Sequence, residues 1–201
     1  MYHLFNEFAH RYDLHTPPGH YRHDHAFVIA EALRVEPTHC RLLDIGCGTG
    51  VFLEAACAAG IDGHGLDASQ RMIDHAKARL PGERLRVERM QEITDQDAYD
   101  VVCALSWTIH YCETEAELDD VVARCRTALR TGGLLVLQVA DDRQMTGAVT
   151  VDRELGPSLK HPLIFHKMAN ILLYILCSAN IVANSSSNGR NRCVGQLGIC
   201  S

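Results

Sequence analysis

The 201-residue chain is predicted to be an α/β protein with a doubly wound, mostly parallel sheet. From residue 41 onward, short apolar runs alternate with segments in which apolar residues recur at helical spacing. Such alternation requires crossover connections, which place a parallel sheet between two layers of helices. Three alternating glycines directly after the first apolar run also favour this fold, because they mark a tight strand-to-helix turn.

The residues before the sheet predict an N-terminal helical lid over residues 1–37. Apolar residues at helical spacing predict a first short helix: Leu4, Phe5, Phe8 and Tyr12. Pro17-Pro18-Gly19 then predicts a loop. A second helix, with Phe27 and Leu33 on its apolar side, is expected to end before Pro37.

Five strands and three helices are predicted for the sheet itself. The predicted strands are Arg41–Ile45, Gly63–Asp67, Leu85–Val87, Tyr99–Leu105 and Leu134–Val139. The predicted helices are Val51–Ala59, Ser69–Leu80 and a segment after Thr114 that ends at Gly132-Gly133. Ser69 is a suitable N-cap for the second of these helices, and Thr114 with Glu117 is typical of a capping box at the start of the third.

Composition and charge exclude several classes of protein. The formal net charge of −6 argues against a general affinity for nucleic acid or anionic lipid. Nine cysteines without a Cys-x-x-Cys pair argue against a disulfide scaffold or a zinc ribbon. No secretory signal is visible, and the apolar segment Met168–Ala183 is shorter than the roughly 20 residues of a membrane span. The chain is therefore predicted to be cytoplasmic, with no nucleic acid and no membrane as partner.

The most informative segment is Leu42–Gly50, in which a strand runs into the three glycines and then into a helix. Glycine is needed where a turn takes positive φ, or where backbone approaches a ligand closer than a Cβ allows. In a parallel sheet, this first crevice is where a nucleotide-like ligand sits. Asp67, at the end of the second predicted strand, is placed to accept hydrogen bonds from both ribose hydroxyls. Val51 stands where the NAD fingerprint has its third glycine, which disfavours a nicotinamide oxidoreductase.

Three motifs in this order resemble those of the class I S-adenosylmethionine-dependent methyltransferases: Asp44-Ile-Gly-Cys-Gly-Thr-Gly50, Gly65-Leu-Asp-Ala-Ser69 and Tyr99-Asp-Val-Val-Cys-Ala-Leu-Ser106. The resemblance covers residues 2 to 140. Within the class, the chain is similar to small-molecule enzymes, including amino-sugar N-methyltransferases of antibiotic pathways. The resemblance implies a Rossmann-like fold, S-adenosylmethionine as the cofactor, and a small-molecule acceptor.

The resemblance also implies which residues hold the methionine and ribose parts of the cofactor. Gly46, Cys47 and Gly48 would line the methionine part. Asp44 would anchor this loop and the cofactor ammonium, and Asp67 would hold the ribose.

Further contacts are implied for the adenine, the sulfonium and the lid. The adenine would meet Ala68, Met72, the backbone N–H of Met90 and the side chain of Gln91. Arg89 stands where the family usually has an acid that reaches the adenine amino group. Leu105 and Ser106 would pass beneath the sulfonium. Tyr12 and Tyr21 match lid tyrosines that approach the cofactor carboxylate or the substrate, and half-buried packing is the alternative role for each.

Catalysis of methyl transfer requires that donor and acceptor be held close and in line. An amine acceptor needs only its neutral form, whereas a hydroxyl acceptor needs a base. In the resembling family, the segment after the fourth strand faces the methyl group. His110 in this segment is predicted to be the general base, with Tyr111 as the alternative that orients the acceptor. A surface position without a catalytic role is the other interpretation of His110.

Four lid histidines raise the question of a metal site: His15, His20, His23 and His25. Their spacing matches no standard zinc pattern, and no cysteine accompanies them. We therefore predict no metal and interpret these histidines as solvated or as facing the substrate.

The C-terminal part differs in composition from the rest. Residues 1–159 carry 15 Lys or Arg and 25 Asp or Glu, whereas residues 160–201 carry four bases and no acid. We therefore predict a methyltransferase domain over 1–159 and an atypical, partly disordered tail over 160–201. The resembling family ends its sheet with two further strands, but residues 160–183 lack clean strand alternation. These strands are expected to be missing or altered, as after a frameshift or truncation; a helix over the sheet edge is the alternative.

The prediction from sequence is thus a methyltransferase acting on an oxygen or nitrogen of a small molecule, in secondary metabolism, as a monomer or homodimer. The alternative is a protein that retains the cofactor fold without competent catalysis because its C-terminus is altered.

Overall fold

A computed structural model describes residues 5, 7 and 9–140, together with the backbone of residues 164–168 and 171–177. The strands are β1 (Arg41–Ile45), β2 (Asp62–Asp67), β3 (Leu85–Val87), β4 (Tyr99–Ala104), β5 (Leu129–Ala140), β6 (Ile164–Met168) and β7 (Ile171–Cys177). The α-helices are α1 (Tyr12–His15), α2 (Arg22–Val35), α3 (Val51–Ala58), α4 (Gln70–Ala76) and α5 (Glu115–Ala128). Single turns of 3₁₀ helix occupy Ala9–Arg11, Gly82–Arg84, Met90–Glu92 and Thr108–Tyr111.

The strands form one sheet in the order β3-β2-β1-β4-β5-β7-β6. The first five strands in this order are parallel, whereas β7 is antiparallel to both β5 and β6. The strand order reverses between β1 and β4, and ligands of such sheets bind beyond the carboxyl ends of the strands at that point. The predicted doubly wound, mostly parallel sheet is confirmed.

Alternate residues of the central strands fill two hydrophobic cores, one on each face of the sheet. In β4, Val101 and Cys103 belong to the core that contains Leu53 of α3, whereas Val102 belongs to the core that contains Val121 of α5. All five side chains are fully buried. Because successive strand residues point to opposite faces, an unbroken apolar run such as that of β4 requires helices on both sides.

Most predicted elements agree with the observed ones to within a few residues, and both predicted N-caps are present, although the Glu117 carboxylate accepts from the Glu113 N–H rather than closing the predicted capping box at Thr114. The Ser69 hydroxyl accepts from the Met72 N–H at 3.3 Å, and the Thr114 hydroxyl accepts from the Glu117 N–H at 3.1 Å. Helix α4 ends at Ala76 rather than at Leu80, because the following residues form tighter turns. The predicted first helix is observed only as a 3₁₀ turn and the short α1, and part of its predicted range lies outside the described residues.

The expectation that the last strands are missing is wrong. β7 pairs antiparallel with β5 over seven residues, and β6 pairs with β7 over five. The apolar run of β7, Ile171–Cys177, carries no alternation, so its pattern did not mark it as a strand. Two segments of the predicted tail therefore belong to the same sheet as the predicted domain. The predicted disorder at residues 184–192 lies outside the described residues.

Candidate functional site

The loop between β1 and α3 has the left-handed backbone that its glycines predict. Gly46, Gly48 and Gly50 have φ values of 71°, 54° and 81°. The N–H groups of Gly46 and Cys47 both donate to the Leu66 carbonyl, at 2.8 and 3.0 Å. These bonds tie the loop to the end of β2, so that the two strand ends form one rigid floor.

Two of the glycines have different surroundings, which assigns them different roles. A Cβ built on Gly46 would lie 2.6 Å from the Thr108 side chain, so Gly46 is required by the packing of the loop after β4. A Cβ built on Gly48 would meet no atom of the described chain within 4 Å. The backbone of Gly48 is therefore open to close approach by a ligand.

Asp67 fixes the loop from the end of β2. One oxygen of its carboxylate accepts from the Gly48 N–H at 3.0 Å, and the other accepts from the Ser69 N–H at 2.8 Å. Burial raises the pKa of Asp67, against the lowering effect of these two hydrogen bonds. Each carboxylate oxygen retains a further lone pair, so Asp67 can accept two more hydrogen bonds from a ligand.

Asp44, near the end of β1, is a buried acid at the base of the cleft, with only 3% of its surface exposed. The Cys103 thiol donates to its Oδ1 at 3.5 Å. Burial raises the pKa of Asp44 to about 8, with a smaller contribution from the charge of Asp67. A cation placed beside Asp44 would compensate this burial and favour the carboxylate form.

A cleft lies where these strand ends meet the lid, at the point where the strand order reverses. Eight of the predicted cofactor residues line it: Tyr12, Tyr21, Asp44, Gly46, Cys47, Gly48, Leu105 and Ser106. Asp67 adjoins it through its bond to Gly48. Thus residues from β1, β4 and the lid, distant in sequence, meet around one space.

The other predicted residues lie outside the cleft lining. Those predicted for the adenine are the exposed Ala68, the buried Met72 and Met90, and Gln91, whose amide donates to Glu117 at 2.6 Å. His110 and Tyr111 belong to the 3₁₀ turn after β4 and do not line the cleft either. Burial lowers the pKa of His110, and the Tyr111 ring lies edge-on to Phe5 at 5.8 Å.

The loop after β4 begins with two strained residues. Ser106 and Trp107 have φ values of 48° and 62°, in the left-handed region that non-glycine residues seldom adopt. Each such residue costs on the order of 1–3 kcal/mol and persists only where its surroundings impose it. Here the Gln138 side chain accepts from the Ser106 N–H at 2.6 Å and so holds the loop in place.

Polar contacts between residues distant in sequence attach the lid to the sheet, and the sequence analysis missed the three given next. The Asp13 carboxylate accepts from the Thr49 hydroxyl at 2.7 Å and from the Arg79 guanidinium at 2.8 Å. The Gln138 amide donates to Asp24 of α2 at 3.1 Å. No local pattern marks these pairs, because their members are 36, 66 and 114 residues apart.

The lid histidines differ in their positions. His15, His20 and His23 are exposed, whereas His25 is partly buried and lines the cleft. Among the described residues, no group of three or more His, Cys, Asp and Glu is placed to hold a metal ion. In the same part of the chain, no helix has the length and apolar character of a membrane span.

Comparison with known proteins gives a family match within the sheet. Residues 43–135 match the family described as "Methyltransferase domain". The chain is 32% identical over 111 residues to a dTDP-3-amino-3,4,6-trideoxy-alpha-D-glucopyranose N,N-dimethyltransferase of Streptomyces venezuelae, a match covering 55% of this chain and 47% of that protein. It is 28% identical over 116 residues to a ubiquinone biosynthesis O-methyltransferase of Sinorhizobium medicae, a match covering 55% of this chain and 45% of that protein. The chain thus spans about half the length of these curated relatives.

A solved structure supports the same relationship. The S-adenosylmethionine-bound amino pentose methyltransferase CalS10 from Micromonospora echinaspora aligns with 35% identity and a TM-score of 0.52. The alignment covers 57% of this chain and 48% of that one.

Proposed function

Taking as the premise that this chain is related to the class I S-adenosylmethionine-dependent methyltransferases, amino-sugar N-methyltransferases among them, we propose that it transfers a methyl group from S-adenosylmethionine to a small molecule. The acceptor atom is an oxygen or a nitrogen, and the relatives include enzymes of both types. A role in secondary metabolism, a cytoplasmic location and a monomeric or homodimeric state belong to the same proposal.

The residues at the cleft fit this cofactor. Gly48 offers an open backbone face, Asp67 retains acceptors for two hydroxyl groups, and Asp44 is a buried acid that a cation would stabilise. These are the groups that a methionine backbone, a ribose and an ammonium require. The S-adenosylmethionine sulfonium supplies an activated methyl group.

The observation that carries the proposal is the hydrogen bond from the Gly48 N–H to the Asp67 carboxylate. It joins the loop after β1 to the end of β2, beside the point between β1 and β4 where the strand order reverses. It joins the two sequence motifs in one rigid unit, and that unit faces the lid. In sheets of this class, such a point is where nucleotide-like ligands bind.

The residues of this chain act mainly by positioning. Asp67 and the glycine loop hold the donor, while Tyr12 and Tyr21 of the lid cover the same cleft. The Gln138 side chain accepts from the N–H of the strained Ser106 at the cleft. The same side chain donates to Asp24 of the lid, so it connects the two. Holding donor and acceptor in line in this way can account for most of the acceleration of a displacement reaction.

The alternative of a fold without catalysis rested on an incomplete sheet. The presence of β6 and β7 argues against that alternative, because they extend the sheet to seven strands. The catalytic roles predicted for His110 and Tyr111 remain part of the proposal, although neither lines the cleft.

The proposal is tested by methyl transfer from S-adenosylmethionine carrying a labelled methyl group. Two acceptors are offered in separate reactions: the dTDP-amino-sugar named for the Streptomyces relative, and a catechol as a simple hydroxyl acceptor. We expect labelled product with one of them. Binding of S-adenosylhomocysteine with no transfer to either acceptor would favour the non-catalytic alternative.

A further inference from the structure

His25 is a cleft histidine that the proposed function does not yet use. It lies in the first turn of α2, and its ring packs against Phe52 with centroids 5.2 Å apart. The centroid of the Tyr21 ring lies 6.3 Å from that of the His25 ring. Neither ring nitrogen of His25 bonds to another residue of the described chain, and the ring faces the same space as Asp44 and Ser106. Its nitrogens are therefore available to a molecule in the cleft.

The groups around His25 keep its imidazole uncharged. Burial lowers the pKa of His25, and the neighbouring Asp24 carboxylate raises it by less. The nearby phenols of Tyr12 and Tyr21 have raised pKa values, mainly through burial, so they too are neutral near pH 7. Asp24 is itself held by the Gln138 amide. A neutral imidazole is the form that can accept a proton.

The charge of the cleft indicates which acceptor it takes. Asp13 lines the cleft but is paired with the Arg79 guanidinium at 2.8 Å, and Asp44, with a pKa of about 8, is mostly protonated at pH 7. The negative charge that bears on His25 is that of the adjacent Asp24, whose hydrogen-bond partner is the neutral amide of Gln138. A carboxylate beside His25 attracts a protonated amine and repels a carboxylate or a phenolate, because like charges in a poorly solvated space are costly.

We propose that the acceptor is an amine and that His25 takes the proton from it. The proposal rests on the proposed methyl transfer, adds the acceptor class, and assigns the base to His25, which lines the cleft, in place of His110, which does not. The amine enters as an ammonium ion, and an unprotonated ring nitrogen of His25 accepts one N–H proton, which frees the nitrogen lone pair. The N–C bond then forms as the methyl–sulfur bond breaks, and the electron pair of that bond stays on sulfur as a neutral thioether. His25 passes its proton to solvent at the open side of the cleft.

The test compares His25→Gln with His23→Gln, a matched control on the exposed side of the same helix. The probe acceptor is the dTDP-amino-sugar of the Streptomyces relative, and rates are measured between about pH 6 and pH 9.5. We expect His25→Gln to lower kcat about 100-fold near pH 7. The difference in kcat between His25→Gln and the wild type should become smaller toward pH 9.5, because the amine then loses its proton to solvent. Affinity for S-adenosylhomocysteine stays within about twofold, and His23→Gln behaves as the wild type.

A second variant separates chemistry from structure. His25→Ala opens a space beside Phe52, so added imidazole should restore part of the rate. A full rate for His25→Gln, or a deficit that is equal at every pH and is not restored by imidazole, would overturn the role of His25 alone. Methylation of the catechol and not of the amine would overturn the acceptor class. A wild-type protein that methylates neither acceptor would overturn the proposed function, and this inference with it.

Discussion

The glycine-loop region, residues 41–67, and the lid region, residues 9–35, form opposite walls of one cleft but are stabilised differently. In the glycine-loop region, paired strands and short hydrogen bonds hold the loop and Asp67, and the residues of β1 after Arg41 are buried. The lid is attached by a few side-chain contacts that span the whole sequence, at Asp13 and Asp24. The proposed cofactor contacts therefore lie mainly in the rigid wall, and the residue proposed to act on the acceptor lies in the lid.

The largest expected effect is in the rigid wall, at Gly46. Gly46→Ala places a methyl group 2.6 Å from the Thr108 side chain and forces alanine to φ 71°. We expect the free energy of unfolding to fall by about 3 kcal/mol, from strain and overpacking together. Thermal unfolding measures this loss.

Gly48→Ala is the matched control, since φ there is 54° but no described atom lies within 4 Å of the added methyl group. It should cost only the backbone strain, about 1 kcal/mol. Thr108→Ala in the Gly46→Ala background should recover the packing part. Equal losses for Gly46→Ala and Gly48→Ala would contradict the role given to Thr108.

The next effect concerns affinity rather than stability. Asp67→Ala removes the acceptor for the Gly48 and Ser69 N–H groups and, in the proposed complex, for the two ribose hydroxyls. We expect about a 100-fold loss of affinity for S-adenosylhomocysteine, measured by calorimetry, because hydrogen bonds to a charged group contribute about 1.5–3 kcal/mol each. Asp74→Ala, an exposed carboxylate on α4, is the control. A similar affinity for both variants would exclude Asp67 from the binding site.

Where the lid meets β5, Gln138→Glu tests the contact that joins α2 to the loop after β4. The variant places a buried carboxylate against Asp24, which now accepts from the Gln138 amide at 3.1 Å. We expect a loss of about 2 kcal/mol at pH 7 and a smaller one near pH 5, where the new carboxyl can hold a proton and donate it. Urea denaturation at both pH values measures the difference.

Gln70→Glu is the surface counterpart, because the Gln70 amide also donates to an aspartate, Asp74, at 2.8 Å but is exposed. Its cost should be about 0.5 kcal/mol or less. An equally small loss at Gln138, independent of pH, would show that the lid does not depend on this contact.

The smallest expected signal is a single proton. The pKa of Asp44 is about 8, so the group is mostly protonated at pH 7, and an ammonium bound beside it, as proposed, would displace its proton. Binding of S-adenosylhomocysteine should then release up to one proton at pH 7 and strengthen as the pH rises toward 8. Calorimetry in buffers of different ionisation enthalpy counts this proton. Asp44→Asn should release none, and equal release from both proteins would place the ammonium elsewhere.

The same contrast explains which features could be predicted from the sequence. The left-handed glycines, the Ser69 cap and the position of Asp67 are local patterns with local causes, so their spacing was sufficient. The contact of Asp13 with Arg79 and the position of His25 depend on how distant elements pack, which no spacing records. Strand β7 was missed for a related reason: its apolar run carries no period, and only its pairing with β5 identifies it.

The central claim, that this cleft holds S-adenosylmethionine, is tested most directly by calorimetric titration of the full chain with S-adenosylhomocysteine and, separately, with NAD. We predict saturable binding of one S-adenosylhomocysteine per chain, lost in Asp67→Ala, and no binding of NAD. Binding of NAD, or no binding of S-adenosylhomocysteine to the folded protein, would contradict the account.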